Sequence, residues 1–394
     1  MLSLRKLLLL GLFIVQVAFY LQAAGADEFR LIGSIAATEE YNDNIFLIED
    51  DEPKIDDFIT TISPELRLDE KTERLIARLN SRLDFLFYKE VSDLNTVDQF
   101  HRGNLQYRLT PRINVAAAAD YIVDSRRDRD LERTGLVIPS NAKRNQQRYA
   151  VSADYDISEK LTSEIGYTYA KEDYEEEIFA DYQSNTVNLL FTHNISDIIL
   201  QTYSRLNLGY TRYDFSEEFL DFAVDNYFLT IGFEHQFSET FSLIADIGTR
   251  YSDDDLELSN DSEEWAPIGE VVLSYRGEFT QISTTIFKLL EPRSGFRTGT
   301  VDRTAFIFDV YRRLTEALGV GLAAEYFLNK EGPGTLTVDD HTINIRPRIR
   351  YDFTRNVSLE AVYTHSRFNN EVNNLERERN LVFLRFLIQY PFFD

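Results

Sequence analysis

Apolar and polar residues alternate one for one along most of this chain, the two-residue rhythm of a β-strand with one dry and one wet face. Leu161, Ile165, Tyr167 and Tyr169 fall on one face of a segment whose other face carries Thr162, Glu164, Gly166 and Thr168. Segment 340–353 is sharper, with Ile343, Ile345, Pro347, Ile349 and Tyr351 set against Asn344, Arg346, Arg348 and Arg350. Such segments recur from 28–39 to 378–392 in a hairpin unit of roughly 40 residues. They include 72–88, 97–109, 160–171 and 198–213, and together predict about 18 strands with no long helix.

The connections alternate too. Very short turns are centred on Thr110-Pro111, Ser158-Glu159, Ser238-Glu239, Gly277-Glu278, Thr315-Glu316 and Arg355-Asn356. Longer, mostly acidic loops such as 40–56, 126–144, 253–263 and 329–339 separate them. A soluble β-sandwich gives no reason for that regular asymmetry. It fits an all-β transmembrane antiparallel up-and-down β-barrel of the bacterial outer membrane, with short periplasmic turns and long extracellular loops. An arginine facing lipid at mid-membrane costs about 2–4 kcal/mol, so the arginine rows should face a watery lumen. The expected pore-lining set is Arg74, Arg78, Arg82, Arg102, Arg108, Arg346, Arg348 and Arg350, with Glu164, Asp246 and Asp309 among the inward acids. On the apolar face, Tyr107, Tyr155, Phe241, Tyr275 and Tyr351 near the short turns, and Tyr121, Tyr169, Tyr210, Tyr251, Tyr326 and Tyr363 near the long loops, predict two aromatic girdles.

Composition sharpens this picture. A mean hydropathy of −0.30 looks soluble, but only every second residue of a barrel strand meets lipid. The formal net charge of −25 argues against nucleic acid as a partner. There is no cysteine, which excludes thiol chemistry and cysteine metal sites. Arg5 and Lys6, the apolar run Leu7 to Leu21 and Ala24-Gly25-Ala26 read as a signal peptide, 1–26, ahead of a single barrel domain, 27–394.

Sites of chemistry are sparse. His101, His193, His235, His341 and His365 lie on separate segments without metalloprotease spacing, so neither an enzyme nor a bound metal or cofactor is expected. The acidic runs Glu49 to Glu52, Glu175 to Glu177 and Asp253 to Asp255 lack the spaced ligands of a calcium loop and read as a solvated surface. Loop 126–144 is the one basic long loop, with Arg126, Arg127, Arg129, Arg133, Lys143 and Arg144. Two placements stay open for it: folded inward as a constriction, or facing lipopolysaccharide phosphates. Many inward arginines are expected to pair with acids across strands, while a positive constriction selecting anions is the functional alternative.

Two short elements carry further expectations. The last strand ends in an alternating apolar run that includes Phe386, Ile388, Tyr390 and Phe392, which resembles the insertion signal read by barrel-assembly machinery. After the first strand stands Tyr41-Asn42-Asp43-Asn44-Ile45-Phe46, an element that resembles the β-barrel porin 2 family. That resemblance implies an outer-membrane porin-like conduit for exopolysaccharide secretion, with a periplasmic export protein, a polysaccharide substrate and outer-membrane lipid as partners. Periodicity by itself implies only a barrel, which leaves a general or anion-selective diffusion porin, or a non-conducting structural barrel, as alternatives.

Overall fold

The computed structural model describes residues 28–137, 140–176, 179–217, 220–255, 263–293, 299–333 and 338–393. The expected signal segment lies outside them. Strands follow one another as β1 (Glu28–Asn42), β2 (Asp57–Lys71), β3 (Leu75–Tyr88), β4 (Thr96–Thr110), β5 (Ile113–Asp124) and β6 (Arg144–Asp156). Next come β7 (Leu161–Tyr174), β8 (Asp181–Asn194), β9 (Thr202–Glu217), β10 (Leu220–Ser238), β11 (Phe241–Asp254) and β12 (Glu264–Arg276). The series ends with β13 (Thr280–Arg293), β14 (Gly299–Arg313), β15 (Leu318–Glu331), β16 (Asp339–Thr354), β17 (Val357–Asn370) and β18 (Leu375–Phe393). Each strand pairs antiparallel with its chain neighbours, and β18 returns to pair with β1, closing an 18-stranded barrel. Closure satisfies every strand edge, the condition for a sheet to span lipid.

Residue parity sorts the faces as expected. Ile165, Ile231, Ile247 and Ile349 stand exposed on the outside, and the opposite parity carries Arg82, Arg102, Asp246 and Arg348. A continuous exposed apolar belt is untenable in water and is what lipid requires. The barrel is therefore a transmembrane one of the outer-membrane type. Its outer girdle is continuous where Tyr210, Tyr227, Tyr251 and Trp265 follow one another across β9 to β12, with ring centroids 5.0, 6.3 and 5.2 Å apart. At the seam, Phe386 and Ile388 register with Ala37 and Ile35, and the ring of Phe392 lies over Gly33, where any side chain would collide with it.

Two expectations need correction. Segment 72–88 starts late, because Thr72 to Arg74 form the β2–β3 turn; Arg74 therefore lies exposed at the periplasmic mouth rather than on the lumen wall. Segment 198–213 shifts upward, since Ile198 to Gln201 belong to the β8–β9 turn, with Gln201 at φ +53° ending it. Many strands also run a few residues further toward the extracellular side than alternation alone suggested, so the β17–β18 connection shrinks to 371–374. Backbone pairing with a neighbour continues there after the lipid-facing pattern has ended.

Candidate functional site

The basic loop decides the shape of the lumen. In the connection from β5 to β6, residues 125–137 and 140–143 fold into the barrel, and Leu131, Thr134 and Gly135 reach the opposite wall. The donors on that wall are small polar side chains at inward positions: Asn329 Nδ2 to Thr134 O at 3.0 Å, Thr342 Oγ1 to Gly135 O at 2.6 Å and Asn344 Nδ2 to Leu131 O at 2.9 Å. Such bonds satisfy loop carbonyls that water would otherwise serve. Glu132 accepts from Arg346 at 2.7 Å and from Arg379 at 3.2 Å, and Arg379 also pairs with Asp128. Leu131 is buried with Leu47 and Phe368, so the tip of the loop has an apolar anchor as well. Gly135 has φ +69° and presses its Cα against fully buried Phe327; a Cβ there would overlap that ring. Only glycine meets both demands.

The near end of the loop is held by charge. Arg144 is almost fully buried and donates to Asp124 at 2.9 Å and to Asp130 at 2.5 Å, with Glu172 at 3.5 Å. Arg126 bridges Asp128 and Glu40, both at 2.7 Å. Arg127 stacks over Phe46 at 4.7 Å and donates to its carbonyl. Burial by itself would raise the carboxyls of Asp128 and Asp130. Arg126 and Arg379 beside the first, and Arg144 and Arg133 beside the second, hold both below the usual carboxylate range instead.

The element Tyr41 to Phe46 forms the foot of this arrangement. Asn44 is fully buried, accepting from Ile48 N at 2.8 Å and donating to Ile48 O and to Glu378 O on β18. Asp43 receives both the backbone and side-chain nitrogens of Asn380. Tyr41 packs on Phe58 outside, and Asn42 Oδ1 accepts from Asn44 N. These bonds tie the first loop across the β18–β1 seam and, through Phe46, to the inner loop.

The other expected residues fall on the lumen wall. Arg82 pairs with Asp84, Arg102 with Asp120, Arg348 with Asp309 and Arg350 with Asp352, and Arg346 adds Glu325 at 2.5 Å. Asp246 meets Arg205, and Arg78 lies 3.7 Å from Asp69. Glu164 faces inward beside Asp154, and Arg108 is exposed near the periplasmic end. Arg78, Arg102, Arg205, Arg346 and Arg348 thus pair across strands, while Arg82 and Arg350 pair within their own, and the exposed side chains of Arg78 and Arg102 remain in water. Alternation did not mark Arg379 as an arginine that places the loop, and showed Arg144 only as one of the loop's cations, because the partners Asp128, Asp130 and Glu132 lie on the loop itself; buried Arg250, held by Glu264 and Asp302, was not singled out either. One signal was available: β16 changes from Thr342 and Asn344 to Arg346 along a single inward row.

Between the loop and the walls lies a chamber of about 660 Å³. Its lining comes from β4 to β8, from β13, β14 and β16 to β18 and from the loop, and includes Arg102, Arg133, Arg144, Arg148, Lys171, Arg293, Arg303 and Arg377 against Asp120, Asp130, Glu172, Glu291 and Asp340. Cations exceed acids there, in a chain of formal charge −25. Several are weakly neutralised. Arg303 is 3.7 Å from Glu291, Arg377 is 3.6 Å from Glu49, and Arg148 has no ion pair among the described residues. Tyr182, Phe287 and Phe368 add apolar surface.

No protein-family model and no curated protein sequence matches the chain. Solved structures with a similar chain path include a BenF-like porin from Pseudomonas fluorescens Pf-5, at 10% identity and TM-score 0.49, covering 93% of this chain and 100% of that one. Another is OccAB4 of Acinetobacter baumannii, at 10% identity and TM-score 0.48, covering 93% and 99%. A third is OccK3 (OpdO) of Pseudomonas aeruginosa, at 9% and 0.47, covering 93% and 97%. At such distances the likeness is one of barrel outline. What passes through this lumen has to be argued from its own residues.

Proposed function

We propose that this protein is an outer-membrane diffusion channel, narrowed by its inner loop and selective for small anions. One observation carries the proposal: a loop spanning the lumen closes a chamber whose lining is more cationic than anionic, inside a strongly acidic protein. Fixed positive charge between low-dielectric walls raises the local concentration of anions and excludes cations. The hydrated arginines nearer the periplasm, Arg78 and Arg108, extend the positive path below the loop. A polysaccharide conduit, the function implied by the porin 2 resemblance, fits less well. A polymer needs an unobstructed bore, and here the loop is bonded to the far wall through Asn329, Thr342, Asn344, Arg346 and Arg379.

Single-channel recording in a planar bilayer under a KCl gradient tests the proposal. The expected reversal potential has the sign of chloride selectivity, and deleting residues 126–143 should raise conductance severalfold. Potassium selectivity in the intact protein would overturn the proposal. So would loss of surface polysaccharide on deleting the gene, combined with a sealed bilayer.

A further inference from the structure

We propose that Asp339, His341 and Glu371 form a binding site for a transition-metal dication of the Zn²⁺ class on the outer wall of the barrel. The three residues come together at the extracellular ends of β16 and β17. By parity with lipid-facing Ile343 and Ile345, Asp339 and His341 point outward, just above the girdle residue Tyr326. The site is therefore separate from the lumen and independent of what the channel conducts.

The geometry is that of one face of a coordination shell. His341 Nε2 lies 3.1 Å from Asp339 Oδ1 and 3.3 Å from Glu371 Oε1, and all three ligand atoms lie within 4.8 Å of one another. Ligands bonded to zinc at about 2.0–2.2 Å with angles of roughly 90–110° stand about 2.8–3.6 Å apart. The imidazole is also turned for the task. His341 Nδ1 meets the hydroxyl of Tyr326 at 2.9 Å; in the tautomer with the proton on Nδ1, that oxygen accepts it and the Nε2 lone pair faces the two carboxylates. A lone pair and two anions facing one point repel unless a cation sits among them, and an outer partner that fixes the second ring nitrogen is the usual support of a metal-bound histidine. Among the described residues neither carboxylate has an arginine or lysine partner, and the buried Oδ1 of Asp339 has no hydrogen bond. One imidazole with two carboxylates suits zinc-like dications better than calcium or magnesium, which favour all-oxygen sets. The remaining coordination positions open outward, at the level of lipid headgroups.

Titration calorimetry with ZnCl₂ on the protein purified in detergent micelles tests the site. One equivalent should bind, and His341→Ala should weaken binding by at least tenfold. Asp339→Asn and Glu371→Gln should each weaken it, and Tyr326→Phe should do so severalfold, by releasing the ring. Heat-modifiable migration on gels checks that each variant keeps its barrel. Cobalt substitution supplies a second readout, a visible band that disappears in His341→Ala. Absence of saturable binding, or equal affinity in wild type and His341→Ala, would overturn the site. An imidazole resonance that titrates with protons but ignores Zn²⁺ would do the same, leaving a plain imidazolium–carboxylate pair.

Discussion

The two halves of the lumen use the same residue for opposite purposes. In the extracellular half, the side chains of Arg144, Arg250 and Arg379 are 2%, 1% and 1% exposed, each held by carboxylates from other strands or from the inner loop. In the lower part of the barrel, Arg78 keeps 66% of its side chain in water beside a single distant acid. All four occupy inward positions of strands that look alike. What separates them is cover. Where water is excluded, an arginine must be paired, and for Arg144 and Arg379 that pairing also fixes the loop; where water remains, the charge is left facing the path of a solute.

The sharpest way to break this contrast is Arg144→Ala. It removes the buried cation shared by Asp124, Asp130 and Glu172, leaving Arg129 and Arg133 as the remaining cations of the cluster, and removing one partner of a buried charge cluster costs up to about 3–5 kcal/mol. Denaturant unfolding from micelles should show that loss, with a rise in conductance as the loop detaches; an unchanged midpoint would mean that the cluster is hydrated after all. Gly135→Ala comes next. The left-handed backbone and the Phe327 ring both oppose a Cβ, at about 1–3 kcal/mol, so limited proteolysis should cut the loop faster while the barrel stays intact.

Acid gives a milder test. The folded pKa values of Asp128 and Asp130 are depressed, so their contribution is fully present above the unfolded carboxylate pKa and is lost as pH falls through the lower folded values. Protonation of these two groups should therefore not free the loop anywhere between about pH 8 and 5, since even unfolded carboxylates titrate near 4. Limited proteolysis of the loop in Asp128→Asn and Asp130→Asn should be faster than in wild type across that range; equal rates would contradict the loop's ionic anchoring. Arg78→Ala should do least. An exposed pair is worth no more than about 1 kcal/mol, leaving stability nearly unchanged while anion selectivity declines slightly.

Alternation determined a great deal by itself. Ile343, Ile345 and Ile349 against Arg346, Arg348 and Arg350 settle which face meets lipid, because the side-chain period of a strand is two and a misplaced arginine is costly. Strand count, barrel class, girdle positions and most of the inward residues follow from that local rule. The course of loop 125–143, the chamber it closes, the burial of Arg144, Arg250 and Arg379, and the meeting of Asp339 and His341 with Glu371 do not. Each depends on which strands face one another across the lumen or lie side by side at the rim. That is a matter of closure and register, and contacts between residues as far apart as Glu132 and Arg379 leave no trace in a two-residue period.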